Sequence, residues 1–219
     1  MANYNLYAEV PSVGPDADTS STVLGTEFIV NRECWVTQFR WFRPAGSDTA
    51  IRKAALFEYS TRALVSPVVD LPMPDFSQWG TIDISPIKLE IGKRYIVAIL
   101  HPAGRYPATG AYFTTGPNAT DTVRGPVTIP GSSNSQAQGS YIYSPTMTMP
   151  TETYNGAAYY SDLTLTDVDL SIPSSQTVTK VFSEGGWQTI QSTPKVWNAQ
   201  AGWIPITVKQ WNGDSWNVS

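Results

Sequence analysis

From Tyr4 to Leu170, apolar and polar positions alternate with a period of two in short runs. Clusters of Gly, Pro, Asn, Asp and Ser separate the runs. This is the pattern of half-buried strands bounded by turns. Tyr4 to Val10 opens the series, and Pro11 to Ser21 is a polar loop. Leu24 to Val30 is the next strand, with Gly25 placed at a bulge. Cys34 to Phe42 is the clearest: Trp35, Thr37, Phe39 and Trp41 take one face, and both tryptophans are assigned to the core. Ile51 to Tyr59 follows, its Lys53 and Glu58 marking a partly wet surface, with Ala63 to Val69 as its hairpin partner. Trp79 to Ile84 is short. Tyr95 to Leu100 is apolar on both faces, which predicts a central buried strand. Ala111 to Phe113 and Tyr141 to Tyr143 resume the strand pattern, and Tyr159 to Leu170 alternates again. Gly116 to Gly139 reads as one long polar loop, functional or mobile. No segment beyond about a dozen residues carries the helical period.

The pattern changes after Ser171 to Gln176, a linker by composition. The boundary predicted there divides the chain into residues 1–172 and 173–219. Lys180-Val181-Phe182 leads to Trp187, Lys195-Val196-Trp197 to Trp203, and Lys209-Gln210-Trp211 to Trp216. Each unit is an aromatic, a polar turn and a Trp, and Asn212-Gly213 is a strong hairpin turn. Units of this size do not bury their faces alone. Phe182, Trp187, Trp197, Trp203, Trp211 and Trp216 are therefore expected to bind partners, copies of the chain included. The alternative is that they form a small core of their own. The expected fold is all-β: an antiparallel, jelly-roll-like β-sandwich followed by a small β-hairpin repeat segment.

Composition narrows the function. Only 15% of the 219 residues are charged, and 26 are aromatic. Residues 1–172 hold eleven Lys and Arg against sixteen Asp and Glu. No basic patch marks a nucleic-acid partner. No apolar stretch approaches the roughly 20 residues of a membrane-spanning helix. Met1-Ala2-Asn3-Tyr4-Asn5 lacks the basic and apolar regions of a signal peptide. The lone cysteine, Cys34, rules out an intrachain disulfide and suits a reducing compartment. It reads as a packing residue.

Little catalytic chemistry is available. His101 is the only histidine, and nothing in the sequence ties it to Cys34 or a serine as base to nucleophile. One His and one Cys make a zinc site improbable. Asp16 and Asp18 share a loop, and Asp167 and Asp169 a strand-like run, but neither pair matches a calcium loop. No pair of acids is nominated for glycoside hydrolysis. The expectation is a non-enzyme with no cofactor and no metal. The aromatic rings remain. Tyr106, Tyr112, Tyr141 and Tyr143 flank loops and are the candidate glycan contacts, since flat rings bury much area at low entropic cost. Tyr159 and Tyr160 would point to opposite faces of a strand, leaving one at a rim.

A series of segments carries a family likeness: Leu24-Gly25-Thr26-Glu27-Phe28, Trp35 to Phe42, Ala55-Leu56-Phe57, Trp79, Gly92-Lys93-Arg94-Tyr95-Ile96-Val97, Pro102-Ala103-Gly104-Arg105-Tyr106, Pro150-Thr151 and Tyr154 to Asp162. In this order they resemble DUF4082, a β-sandwich domain of unassigned function. The resemblance implies a sandwich over residues 4–170. It also implies the company of secreted bacterial proteins and carbohydrate-active modules, a setting from which the missing signal peptide departs. Val196-Trp197, a turn and Trp203-Ile204-Pro205 resemble the endings of tail and other virion proteins of tailed phages. That likeness implies a minor tail protein assembled into the virion in the host cytoplasm. Its implied partners are other virion proteins and its own copies, a trimer among the options. A capsid-decorating protein and a carbohydrate-binding module that recognises host-surface glycans are the alternatives.

Overall fold

The alternation resolves into two antiparallel sheets packed as a β-sandwich in a computed structural model. The structure describes residues 2–132 and 138–170 in full, and of residues 171–219 the backbone of six short strands. The chain divides into two units, Met1–Ser171 and Ile172–Ser219.

One sheet of the first unit has the order β1 (Asn3–Asn5), β12 (Ser161–Thr166), β3 (Cys34–Arg43), β6 (Gln78–Leu89). The other runs β11 (Glu152–Thr153), β10 (Ser140–Tyr143), β2 (Thr22–Val30), β7 (Arg94–His101), β4 (Lys53–Glu58), β5 (Val69–Asp70). A hairpin of β8 (Thr122–Arg124) and β9 (Val127–Ile129) joins the far end of β2. The main core lies between the sheets and includes Phe28, Val36, Phe39, Trp41, Leu56, Val97, Ile99 and Leu163. Among the described residues no helix is long and apolar enough to cross a membrane.

β7 is the central strand its composition predicts. Tyr95, Val97 and Ile99 face the main core. Ile96, Ala98 and Leu100 face the other way, into a cluster with Val23, Phe57 and Met149. The segment that carries Met147 and Met149 covers this outer face, so both sides of the strand are dry.

Several expectations need correction. Trp35, Thr37, Phe39 and Trp41 do not share one face. Thr37 is skipped in both ladders of β3: Val36 pairs with Leu165 and Ile87, and Gln38 with Thr164 and Asp83. This bulge resets the alternation. Cys34, Val36, Phe39 and Trp41 enter the core, and Trp35, still buried, packs beneath the Lys88 ammonium 5.1 Å from its ring. The same irregularity lets β6 continue through Pro86 to Leu89, beyond the expected Ile84. An edge strand tolerates proline at such a place. Gly25 is not a bulge. It keeps regular register between Ser140 and Ala98, and a Cβ there would lie 2.6 Å from the Ile96 side chain. Glu58 is not wet: it is buried, and its carboxylate accepts from the amides and hydroxyls of Ser60 and Thr61. Ala63 to Val69 does run back beside β4, joined by the bridge of Phe57 to Leu64, by Val65 N donating to Leu56 O, and by Val69 pairing with Ala54, but only its last residue belongs to a regular strand, β5.

The 116–139 stretch is not one open loop either. It holds a turn of 3-10 helix at Gly116–Ala119 and the β8–β9 hairpin. β10 pairs β2 at Thr22 to Gly25 and β9 at Ile29 and Val30, which leaves a gap between them. The Gln138 amide fills it. Its Oε1 accepts from the Glu27 amide at 2.8 Å, and its Nε2 donates to the Glu27 carbonyl at 2.8 Å. A side chain thus completes the strand ladder, as buried backbone groups demand. Tyr159 and Tyr160 are both buried, because Tyr160 takes φ 55° and breaks the expected strand there. Tyr159 joins a satellite cluster and Tyr160 the main core.

In the second unit, β13 (Phe182–Ser183) pairs β14 (Gly186–Trp187), β15 (Lys195–Asn198) pairs β16 (Gly202–Pro205), and β17 (Lys209–Trp211) pairs β18 (Trp216–Val218). Each is a two-stranded antiparallel sheet. The registers set Phe182 opposite Trp187, Trp197 opposite Trp203, and Trp211 opposite Trp216. The side chains of these six residues lie outside the described residues, as does the linker.

Candidate functional site

Three of the four loop-flanking tyrosines converge at one end of the sandwich. β10 sets Tyr141 opposite Leu24 and Tyr143 opposite Thr22, so both rings share the Leu24 face. There a satellite cluster forms from Leu24, Tyr106, Ala157 and Tyr159, with Tyr141 packed against it. Tyr106 is buried. Its ring meets that of Tyr159 edge-on at 5.8 Å, and Tyr141 meets Tyr143 the same way at 5.8 Å. Tyr143 reaches the rim and is 59% exposed; Tyr154, also exposed, follows Thr153 of β11. Tyr112 does not join them. It packs with Tyr7, Phe113 and Tyr160 against the main core, and its hydroxyl donates to Glu9.

The residue that sequence reasoning missed is Asp18, which it weighed only as a calcium ligand. Its Oδ2 accepts from the Tyr143 hydroxyl at 2.9 Å and from the Tyr106 hydroxyl at 3.4 Å. Nothing local in the sequence signals this, since Asp18 lies in a loop far from either tyrosine. Backbone bonds fix that loop. Asp16 N donates to Tyr106 O, and Arg105 N to Asp18 O, each at 2.8 Å. Gly104 allows the close approach: a Cβ there would lie 2.3 Å from Asp18 O, and its φ of 59° already favours glycine. Burial pushes the Asp18 carboxyl up, but the bonds from Ser20, Tyr143 and Tyr106 outweigh it and hold the group below the usual range. The Tyr143 hydroxyl is raised, first by its bond to Asp18 and then by burial. The Asp18 carboxylate is thus a fixed acceptor shared by two phenol hydroxyls.

Behind this rim sits a buried ion pair. Arg52, 0% exposed, forms a bidentate bond to Asp48 at 2.6 and 2.7 Å and lies over the Trp41 ring at 5.0 Å. Its Nε donates to His101 Nδ1 at 3.4 Å. That contact requires an unprotonated Nδ1, and burial followed by the Arg52 charge holds His101 well below the usual imidazole range. Cys34 lies in the main core, its thiol pushed up by burial to about 12. Asp167 accepts from Tyr4 and pairs with Arg32. Among the described residues no group of three His, Cys, Asp or Glu is arranged to hold a metal ion.

No curated protein matches this sequence. A family model for a domain of unknown function, DUF4082, matches residues 8–161. That span runs from the loop after β1 to the first residue of β12 and takes in the whole tyrosine rim, and the chain belongs to the DUF4082 family.

Proposed function

We propose that this chain is a non-enzymatic structural component of a tailed-phage virion, a minor tail protein whose C-terminal hairpins attach the sandwich to the particle and to other copies. The observation that carries the reading is the register of those hairpins: each sets one large aromatic residue opposite another. A lone two-stranded ribbon is marginal in water. Tryptophan is the residue most enriched among interface anchors. The likeness of Val196-Trp197 and Trp203-Ile204-Pro205 to virion-protein endings supports the particle as partner.

The test is a comparison of the full chain with residues 1–172 by light scattering and by sedimentation with the particle whose genome encodes it. The full chain should self-associate and co-sediment, and the shortened chain should do neither. Identical monomers that both stay free of the particle would end the reading.

A second reading, glycan contact at the host surface, is favoured by the exposed Tyr143 ring held beside the Asp18 carboxylate. It predicts saturable binding to surface polysaccharide fragments, lost in Tyr143→Ala. Equal binding by wild type and variant would remove it.

A further inference from the structure

A groove of about 410 Å³ crosses the outer face of the eight-stranded sheet, on the side away from the main core. This volume falls in the range of small-molecule sites, about 300–1,000 Å³. Phe57 of β4 and Ile142 of β10 belong to its lining. One wall is the segment Met147 to Thr151, and the other is the β4–β5 loop with Arg62, Leu64 and Val68. Leu64 and Val68 are 48% and 42% exposed. The loop is held in shape: Glu58 accepts four bonds from Ser60 and Thr61, Glu58 N donates to Ala63 O at 2.9 Å, and Arg62 takes φ 60°. Both oxygens of the nearest carboxylate in sequence are thereby occupied. Among the described residues no carboxylate forms an ion pair with Arg62.

We propose that this groove, whose lining mixes apolar and polar side chains, binds an acyl chain with an anionic head group, the chain against Phe57, Leu64, Val68, Ile142 and Met147 and the head at the Arg62 guanidinium. Three features favour this chemistry. The lining includes thioethers, whose flexible side chains adapt to a chain of no fixed shape. Its one charged side chain is a cation at the end of a rigid loop. The groove lies on a sheet face, not along a strand edge, so no row of unpaired amides is offered to an extended peptide. The source of the acyl group, a membrane lipid or a free fatty acid, leaves the recognition chemistry the same.

The test titrates the full chain with octanoate, decanoate and dodecanoate below their micellar concentrations, and with dodecanol. Saturable one-to-one binding should tighten with each methylene added, by up to about fourfold, the factor for a fully buried methylene. Dodecanoate should exceed dodecanol by roughly two- to fivefold, the scale of an exposed ion pair. Arg62→Gln should remove that difference and keep the chain-length trend. Leu64→Glu, at an exposed position, should weaken every ligand without lowering the melting temperature. Absent or length-independent binding overturns the proposal, as does binding that neither variant changes. If dodecanoate fails and a Leu64-dependent dimer forms instead, the groove belongs to a second copy of the chain. Phosphatidylglycerol and neutral-lipid vesicles, assayed beside free dodecanoate, separate the two sources.

Discussion

The two units of this chain use aromatic residues in opposite ways. In the sandwich, rings from distant segments meet: Tyr7 lies 5.0 Å from Tyr160, and Phe42 5.7 Å from Trp79. In the hairpins, the aromatic partners Trp197 and Trp203, or Trp211 and Trp216, are a single turn apart in sequence. The first arrangement exists only when two sheets close over a common core. The second needs only a turn. The sandwich is therefore a cooperative object whose parts fail together. The hairpins are local objects, each paired within itself.

The strongest way to break this contrast is to damage the core. Phe39→Ala, at a fully buried site, should cost about 3–5 kcal/mol of sandwich stability, read from denaturant midpoints. Hydrogen exchange at the hairpin amides should not change. If those amides exchange faster in step with the sandwich, the two units form one cooperative system and the contrast fails.

A smaller effect tests the long-range stitching of the sandwich. Gln138→Ala leaves the amide and carbonyl of Glu27 without their side-chain partners in a buried ladder. The expected loss is about 2–4 kcal/mol. Gln138→Glu should not restore it, because an ionised carboxylate at this fully buried site no longer donates and faces the Glu27 carbonyl unpaired.

The smallest effect is in pH. His101 has a lowered folded-state pKa, so the folded protein binds fewer protons than the unfolded chain once pH falls below about 6.5. Stability held above that pH is lost on acidification. Asp162 acts in the opposite sense. Burial raises its carboxyl to about 6 despite Arg40 beside it, so its neutral form favours the fold as pH falls from about 6 toward 4. Wild type should weaken between pH 6.5 and 5, and His101→Gln should flatten or reverse that slope in urea melts. The hairpin unit contains no histidine and should keep its amide protection over the same range.

Most strand positions were legible because burial on one or both faces writes itself into the alternation. The doubly apolar run Tyr95 to Leu100 is the clearest case. The turn at Asn155-Gly156 fits its dipeptide: both residues take positive φ, as Asn-Gly favours. What could not be read were the places where one residue resets a pattern. Thr37 is chemically ordinary, and only the ladders on both sides make it a bulge. Tyr160 turns inward through a left-handed backbone that its side chain does not announce. The rim was half legible. Aromatic residues beside loops nominated Tyr106, Tyr141 and Tyr143, but the loop geometry that brings Asp18 to them is set by backbone contacts at Gly104 and Arg105. Tyr112 was nominated on the same signal and went to another cluster.

The self-paired hairpins have a consequence for how this chain can change over time. Among the described residues every strand from β13 to β18 finds its partner within its own hairpin. Loss or duplication of one whole motif would therefore leave the register of the others untouched. Such a segment can be lengthened or shortened by counting, much as beads are added to a string. A sheet that shared strands between motifs would have to be re-threaded at every step.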